Sequence, residues 1–119
     1  MKALFKSFII LIISSFSVFA QEMELDKMPS PEGGIEAIAK NVKYPAKAKE
    51  EGVEGKVFVK ATIDEKGNVT ETEIVRSVSK ECDLAAVYAV EKTKWVPGEK
   101  DGKNISAQVT IPIAFKLSD

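Results

Sequence analysis

Acidic side chains are the residues of this chain whose types and spacing come nearest to a site for chemistry. They form three pairs: Glu50 with Glu51, Asp64 with Glu65, and Glu71 with Glu73. Paired carboxylates act as the acid and base of glycoside hydrolysis, or as ligands of Ca²⁺. Turns and solvated strand faces account for all three pairs, and no apolar cleft is predicted around them. We therefore expect no enzyme active site and no metal site.

Histidine and cysteine set further limits on the chemistry. The chain has no His, which excludes Ser–His and Cys–His nucleophilic pairs. Cys82 is its only cysteine, so an internal disulfide is excluded, and we predict a buried, unreactive thiol. Tyr44 beside Pro45 and Trp95 before Pro97 are predicted to pack against the core. No cofactor and no small-molecule substrate are expected.

The composition is that of one ordinary globular domain. The chain has 119 residues, of which 45% are hydrophobic and 29% charged, too few residues for a second domain of normal size. Lys and Arg number 17 and Asp and Glu 18, so the net charge is -1 and no basic surface for nucleic acid is predicted. A binding or structural role is favoured over catalysis.

The first twenty residues have the pattern of a secretory signal peptide. Lys2 and Lys6 precede an unbroken apolar run, and Val18 and Ala20 have the spacing that a signal peptidase recognises. We expect cleavage after Ala20 and a periplasmic mature protein. The alternative is an inner-membrane anchor, which is disfavoured because the segment from Leu4 to Ala20 has only 17 residues and contains four serines.

The mature chain is predicted to begin with an extended leader over residues 21–32, because its two prolines disfavour a helix. The domain itself occupies residues 33–119. A helix is predicted over residues 35–42 and a short second one over residues 46–51. The apolar residues at helical spacing in the first are Ile35, Ile38, Ala39 and Val42.

A β-hairpin is predicted next, since the hydrophobic period changes to two after Gly55. The apolar positions of its first strand are Val57, Val59, Ala61 and Ile63. Residues 64–68 supply a turn, and residues 69–78 form the second strand. Val69 and Ile74 are out of step in that strand, which a β-bulge would reconcile.

A helix over residues 83–95, a loop over 98–104 and a long strand over 105–117 complete the domain. Asp83 is interpreted as a cap or first-turn acid of that helix. The residues predicted to share its apolar face are Leu84, Val87, Tyr88 and Trp95. The fold class is therefore α+β, with a three-stranded antiparallel sheet and helices packed on one face.

The last strand is predicted to lie at the border of the sheet. Pro112 has no N–H to donate and is confined to edge strands or bulges. If the backbone of Pro112 points away from the neighbouring strand, the N–H and C=O groups of alternate residues point away as well. These residues are Ser106, Gln108, Thr110, Ala114 and Lys116. Such an edge is either a solvated border blunted by proline and lysine or the template for an added peptide strand. Spacing alone leaves both alternatives open.

Four short motifs occur in a specific order and spacing. They are Tyr44-Pro45 before a helix, Gly55-Lys56-Val57 opening a strand, Trp95-Val96-Pro97-Gly98 closing a helix, and the terminal run 112–117. Together they resemble the C-terminal domain of the TonB energy transducers, especially Bacteroidetes-type chains. The resemblance covers most of the mature chain.

The resemblance implies a periplasmic domain that binds outer-membrane TonB-dependent transporters. It implies that the last strand pairs with an extended segment at the transporter's N-terminus, the TonB box, in support of transmembrane transport. The docking residues implied in this way are Ile105, Ser106, Gln108, Thr110, Pro112, Ala114 and Lys116.

The sequence also departs from a complete transducer of this family, which has an inner-membrane helix and a long periplasmic arm. Neither is visible here, so we expect a free-standing docking domain, acting as an accessory binder, as a competitor for the TonB box, or as a module that pairs with full transducers. A different class of function is that of a structural, self-associating envelope protein. In this hypothesis the same edge strand pairs with that of a second copy to form a homodimer.

Overall fold

A computed structural model describes residues 25–117 of the chain. The predicted signal peptide, its cleavage site and the start of the leader lie outside the described residues. The helices are α1 (Ile35–Asn41), α2 (Ala46–Glu50) and α3 (Lys80–Lys92). The strands are β1 (Ser30–Pro31), β2 (Gly55–Ile63), β3 (Val69–Arg76), β4 (Trp95–Val96), β5 (Gly98–Lys100), β6 (Lys103–Ile105) and β7 (Ala107–Phe115).

The central layer is an antiparallel sheet of three strands in the order β3–β2–β7. The four apolar positions predicted in β2 are fully buried beneath the helices, and Ile111, Ile113 and Phe115 of β7 extend the same core. The residues between them face the open side of the sheet. The predicted α+β fold, with a three-stranded antiparallel sheet and helices on one face, is confirmed.

The β2–β3 hairpin contains the predicted irregularity. Pairing shifts register between Thr62 and Ile63, where Glu71 and Val69 are the opposite residues, so Thr70 is the extra residue of a bulge. A second shift lies between Phe58 and Val59. The bulge at Thr70 brings Val69 and Ile74 onto one face of the sheet, as the sequence predicted.

Asp64 organises the turn of this hairpin. Its carboxylate accepts hydrogen bonds from the backbone N–H of Lys66, at 2.9 Å, and of Asn68, at 2.8 Å. These bonds favour the charged form, so the pKa of Asp64 is lowered, chiefly through the Asn68 N–H. The Asp64 carboxylate thus provides an acceptor for backbone N–H groups that have no backbone partner in a tight turn.

Acidification is expected to remove the stabilisation that Asp64 provides. Because its folded pKa lies below the ordinary value of 3.8, the contribution is complete above that value and is lost as pH falls through the lower, folded value. The difference in free energy of unfolding between the wild type and Asp64→Asn should therefore shrink as the pH falls. Urea unfolding of both proteins at about pH 6 and about pH 2.5 measures this, and a gap that stays constant would contradict it.

Helix α3 begins three residues earlier than the sequence analysis predicted. Ser79 is its N-cap, and the Ser79 hydroxyl accepts a hydrogen bond from the Cys82 N–H at 3.2 Å. Of the two roles predicted for Asp83, the cap is wrong and the first-turn acid is confirmed. The Asp83 carboxylate instead accepts hydrogen bonds from the Ser77 hydroxyl and the Val78 N–H, which fastens the segment that leads into the helix.

Of the residues predicted on the apolar face of α3, Val87 packs against the core as predicted, whereas Leu84 and Tyr88 do not. Leu84 and Tyr88 are 64% and 46% exposed, whereas the buried positions are Cys82, Ala86, Ala89 and Val90. Small side chains at helical spacing let α3 approach the sheet closely, which larger side chains on that face would prevent. The prediction of a buried Cys82 is confirmed, since its side chain has no exposed surface.

Loss of the α3 cap is expected to cost about 1 kcal/mol in the free energy of unfolding. The change Ser79→Ala leaves the Cys82 N–H without its acceptor, while Ser79→Asn retains a side-chain oxygen that can replace it. Denaturant unfolding of the three proteins should therefore place the asparagine variant close to the wild type. Equal losses in both variants would contradict a capping role.

The predicted loop over residues 98–104 is instead a β-hairpin formed by β5 and β6. Its turn is Asp101-Gly102, with φ of 53° and 75°, the positive values that a two-residue hairpin turn requires. Because Ile105 belongs to β6 and pairs with Gly98, the last strand begins at Ala107 and not at residue 105.

The segment before α1 packs along this hairpin and β4. The Glu99 N–H donates to the Lys27 carbonyl at 2.9 Å, and β1 pairs with β4. Trp95 therefore lies in β4 and not at the end of a helix. It is 2% exposed, and its indole N–H donates to the Val90 carbonyl at 3.3 Å, so its predicted packing role is confirmed.

Candidate functional site

Strand β7 is paired along one side only. It pairs with β2 through nine consecutive residue pairs, from Gly55 opposite Phe115 to Ile63 opposite Ala107, without a register shift. Among residues 25–117, no strand pairs with its other side. The prediction that the last strand lies at the border of the sheet is confirmed.

The predicted docking residues are distributed unequally along this edge. Four of them, Gln108, Thr110, Pro112 and Ala114, lie within β7 and have exposed side chains. Ser106 and Lys116 are exposed and lie just outside the two ends of the strand. Ile105 is half-buried in β6, so the structure separates it from the others.

The hydrogen bonds of β2 indicate which backbone groups of β7 point outward. The Thr62 carbonyl accepts from the Thr70 hydroxyl at 3.4 Å, and the Asp64 N–H donates to the Asn68 carbonyl at 2.8 Å. Even-numbered residues at this end of β2 therefore direct their backbone groups toward β3. Since Gln108 is opposite Thr62, its own groups point away from β2, and alternation extends this to Pro112.

The opposite edge of the sheet is less suited to strand addition. Strand β3 carries two register shifts against β2, and its exposed residues include Glu71, Glu73 and Arg76. Bulges and charges are the usual means by which edges avoid pairing. Strand β7 has neither, and Pro112 is its only residue that cannot donate a backbone hydrogen bond.

Tyr44 supports the C-terminal end of β7. Its ring makes an edge-to-face contact with Phe115, with ring centroids 5.5 Å apart, and its hydroxyl donates to the Val53 carbonyl. Burial raises the pKa of this hydroxyl, and the Glu54 carboxylate adds to the rise. Glu54 also accepts a hydrogen bond from the Leu117 N–H at 2.7 Å. The predicted packing role of Tyr44 is confirmed.

A groove of about 360 Å³ runs between α1 and the C-terminal half of β7. Nine of its eleven lining residues are apolar; Glu36 and Lys116 are the exceptions. The apolar ones are Ile35, Ile38, Ala39, Val42, Tyr44, Pro112, Ile113, Ala114 and Phe115. The sequence pattern did not predict this groove, because helical spacing in the first helix does not show which of its apolar residues are buried.

The carboxylate pairs do not converge on a site. Asp64 is engaged in its turn, and Glu50, Glu51, Glu71 and Glu73 are exposed. Within residues 25–117, no three Cys, Asp or Glu side chains are placed together as a metal site would require. None of the helices in that range has the length and hydropathy needed to cross a membrane.

Comparison with known proteins identifies a family to which most of the described residues are similar. Residues 40–117 match the family model of the Gram-negative bacterial TonB protein C-terminal. The chain is 36% identical over 76 residues to the protein tonB2 of Pseudomonas aeruginosa, covering 63% of this chain and 28% of that protein. It is 33% identical to TonB of Vibrio cholerae, with coverage of 63% and 31%. The chain thus spans about a third of the length of these curated relatives.

Solved structures give the same relationship. The TonB C-terminal domain of Helicobacter pylori matches with a TM-score of 0.55 and 28% identity, over 71% of this chain and 89% of that one. That of Pseudomonas aeruginosa matches with a TM-score of 0.54 and 29% identity, over 65% and 79%. Because the family model covers more than half of the residues, this chain belongs to the family of TonB C-terminal domains of Gram-negative bacteria.

Proposed function

We propose that this chain is a non-catalytic periplasmic binding domain with a TonB-like role in transport energy transduction. Its partner is an outer-membrane TonB-dependent transporter, whose TonB box adds to β7 as a fourth strand. The observation that carries the proposal is the free side of β7, next to nine uninterrupted pairs with β2. Main-chain hydrogen bonds provide the affinity of such strand addition.

The docking residues of this proposal are the outward-facing positions of β7 with its two flanking residues. Gln108, Thr110 and Ala114 provide both an N–H and a C=O to the added strand, and Pro112 provides only its C=O. Ser106 and Lys116 continue the edge at either end. Ile105 contributes less, because β6 already engages it.

Titration of the isotopically labelled full-length protein with peptides from transporter N-termini tests the proposal. Backbone amide shifts followed by NMR should concentrate in residues 106–116 and be small in β3 and α3. A peptide that shifts α3 and leaves β7 unchanged would contradict strand addition. A scrambled peptide of the same composition controls for nonspecific contact.

The second candidate is self-association, in which β7 of one copy pairs with β7 of another. The same unpaired edge favours it, because an exposed strand of this length pairs with any compatible strand. Analytical ultracentrifugation distinguishes the two candidates. A dimer that persists at micromolar concentration and is not dissociated by transporter peptide supports self-association, while a monomer contradicts it.

Export through a signal peptide cleaved after Ala20 is part of the proposal. A periplasmic location brings the domain to the transporter segments that it binds. Intact-mass measurement of the protein recovered from the cell envelope tests this step. A species beginning at Gln21 is expected, and a species that retains residues 1–20 would indicate an anchor instead.

A further inference from the structure

The groove between α1 and β7 gives the added strand a side-chain requirement. We propose that it binds aliphatic side chains at two alternate positions of that strand, next to Ile113 and Phe115. This chain then selects extended segments in which aliphatic and polar residues alternate along the part that meets the C-terminal half of β7. The inference rests on the proposed function, because the groove has this occupant only when a strand pairs with β7.

The apolar stripe of α1 is wider than the core of the domain requires. Ile38 is 2% exposed and belongs to the core, but Ile35 is 60% exposed, and Ala39 is exposed as well. Ile35 and Ala39 are four residues apart, which places them on one side of α1, and Val42 follows directly after the helix. All three line the groove. This side of α1 therefore presents apolar surface that the domain itself leaves in contact with solvent.

The geometry of a sheet directs the side chains of an added strand into this groove. Neighbouring strands lie about 4.8 Å apart, and residues directly opposite each other place their side chains on the same face. Ile113 and Phe115 face the helices and are 4% and 2% exposed. Residues opposite them must therefore lie under α1, about 7 Å apart along the added strand.

The lining of the groove determines which side chains fit. Its two charged residues are Glu36 and Lys116, and its nine apolar residues offer a charged or amide side chain no compensation for the water that it would lose. The alternate residues of the added strand lie beside Pro112 and Ala114 on the open face of the sheet. Because these positions are exposed, polar residues are accommodated there.

The preference is confined to one half of the edge. A second depression, beside the N-terminal half of β7, is lined by Leu25, Met28, Ile105 and Ala107 together with Thr62, Ser106 and Gln108. Three of its seven lining residues are polar and uncharged, whereas the α1 groove has nine apolar residues and two charged ones. Side-chain selection is therefore expected at the C-terminal half of β7, and backbone pairing alone elsewhere.

A peptide pair and a variant pair test the inference on the full-length protein. One nine-residue peptide alternates valine with threonine, and the other has serine in place of every valine. The variant Ile35→Ser removes the exposed aliphatic side chain at the groove. Leu84→Ser is its matched control, because Leu84 is 64% exposed on α3 and does not line the groove.

We expect the valine peptide to bind at least about tenfold more tightly than the serine peptide. Ile35→Ser should weaken binding of the valine peptide about fivefold and leave the serine peptide unchanged. Leu84→Ser should change neither affinity. NMR titration gives both the affinities and the location of the shifted amides.

The two proposals fail in different ways. Equal affinities for the two peptides, or an equal effect of Ile35→Ser on both, would overturn the groove preference while the amide shifts of residues 106–116 still supported strand addition. If no peptide shifted those amides, the proposed function would fail, and the side-chain preference would fail with it.

Discussion

Replacing Gly67 by alanine is expected to be the most destabilising single-methyl change in this domain, at about 3 kcal/mol or more in the free energy of unfolding. Gly67 lies in the β2–β3 turn with φ of +85°, a conformation that disfavours any side chain. A Cβ built there would lie 2.1 Å from the Trp95 carbonyl oxygen, which is backbone and cannot rotate away. The turn and β4 would therefore have to separate.

That separation would break a specific contact between the hairpin and the rest of the domain. The Trp95 N–H donates to the Gly67 carbonyl at 3.3 Å, and the Gly67 N–H donates to the Asp64 carbonyl at 3.0 Å. Trp95 itself is 2% exposed in the core. A shift of β4 would thus loosen the hairpin turn and the packing of the Trp95 ring together.

Gly52 provides the matched control for this prediction. It also has a positive φ, +67°, but no heavy atom lies within 4 Å of the Cβ that alanine would add. Gly52→Ala should therefore cost only the backbone penalty, about 1 kcal/mol. Urea unfolding of both variants separates the two causes. Equal losses would mean that the close approach of the turn to Trp95 has no energetic weight.

The sequence predicted those parts of the fold that follow from local patterns. The period of two in β2 identified its buried positions, and the out-of-step pair Val69 and Ile74 identified the bulge. Pro112 placed β7 at the edge, because its missing N–H is a local property with a consequence for the whole sheet. These are also the features that position the candidate docking edge.

Other elements depend on distances between segments in the folded domain, which a local sequence pattern does not contain. Large residues such as Leu84 and Tyr88 outweighed Ala86 and Ala89 in the pattern of α3, although only small side chains allow that helix its close approach to the sheet. The β5–β6 hairpin has a local signal in Asp101-Gly102, but these residue types are equally typical of an unpaired loop. Pairing of β1 with β4 joins segments about 65 residues apart and has no such signal.

The groove beside β7 could not be predicted from the sequence, because it forms only when the domain is folded. Its walls come from α1 and β7, which are separated by most of the domain in sequence. The sequence pattern of α1 shows that Ile35 and Ala39 are apolar residues at helical spacing. It does not show that their side chains lie outside the core. A helix whose apolar stripe is wider than the core of its domain can cover is a sign of a binding groove of this kind.

Replacing Thr110 by proline is expected to abolish docking of transporter peptides while the domain stays folded. Its N–H points away from β2, so proline should remove a bond to the added strand and none within the sheet. The proline ring would also obstruct the approach of that strand. We expect affinity to fall at least about tenfold and the free energy of unfolding to change by about 1 kcal/mol or less, with Pro112 as the precedent in the same strand.

Two neighbouring variants make this prediction specific. Thr110→Val keeps the N–H and the β-branched shape, and should bind within about twofold of the wild type. Val109→Pro removes an N–H that faces β2, where Ala61 is the opposite residue, and should lose about 3 kcal/mol of stability. Thermal unfolding and peptide titration of all three proteins provide the comparison.

The pattern of losses identifies which groups make the interface. Docking that survives Thr110→Pro would show that transporter segments do not bind through the backbone of β7. Unfolding caused by Thr110→Pro, with Val109→Pro tolerated, would show that the alternation of β7 is reversed and that its odd-numbered residues face outward. Since Pro112 already occupies an even-numbered position without interrupting nine consecutive pairs, we expect the outward set to be the even one. The edge would then bind its partner mainly through groups that every residue except proline has, and selectivity would depend on the groove beside it.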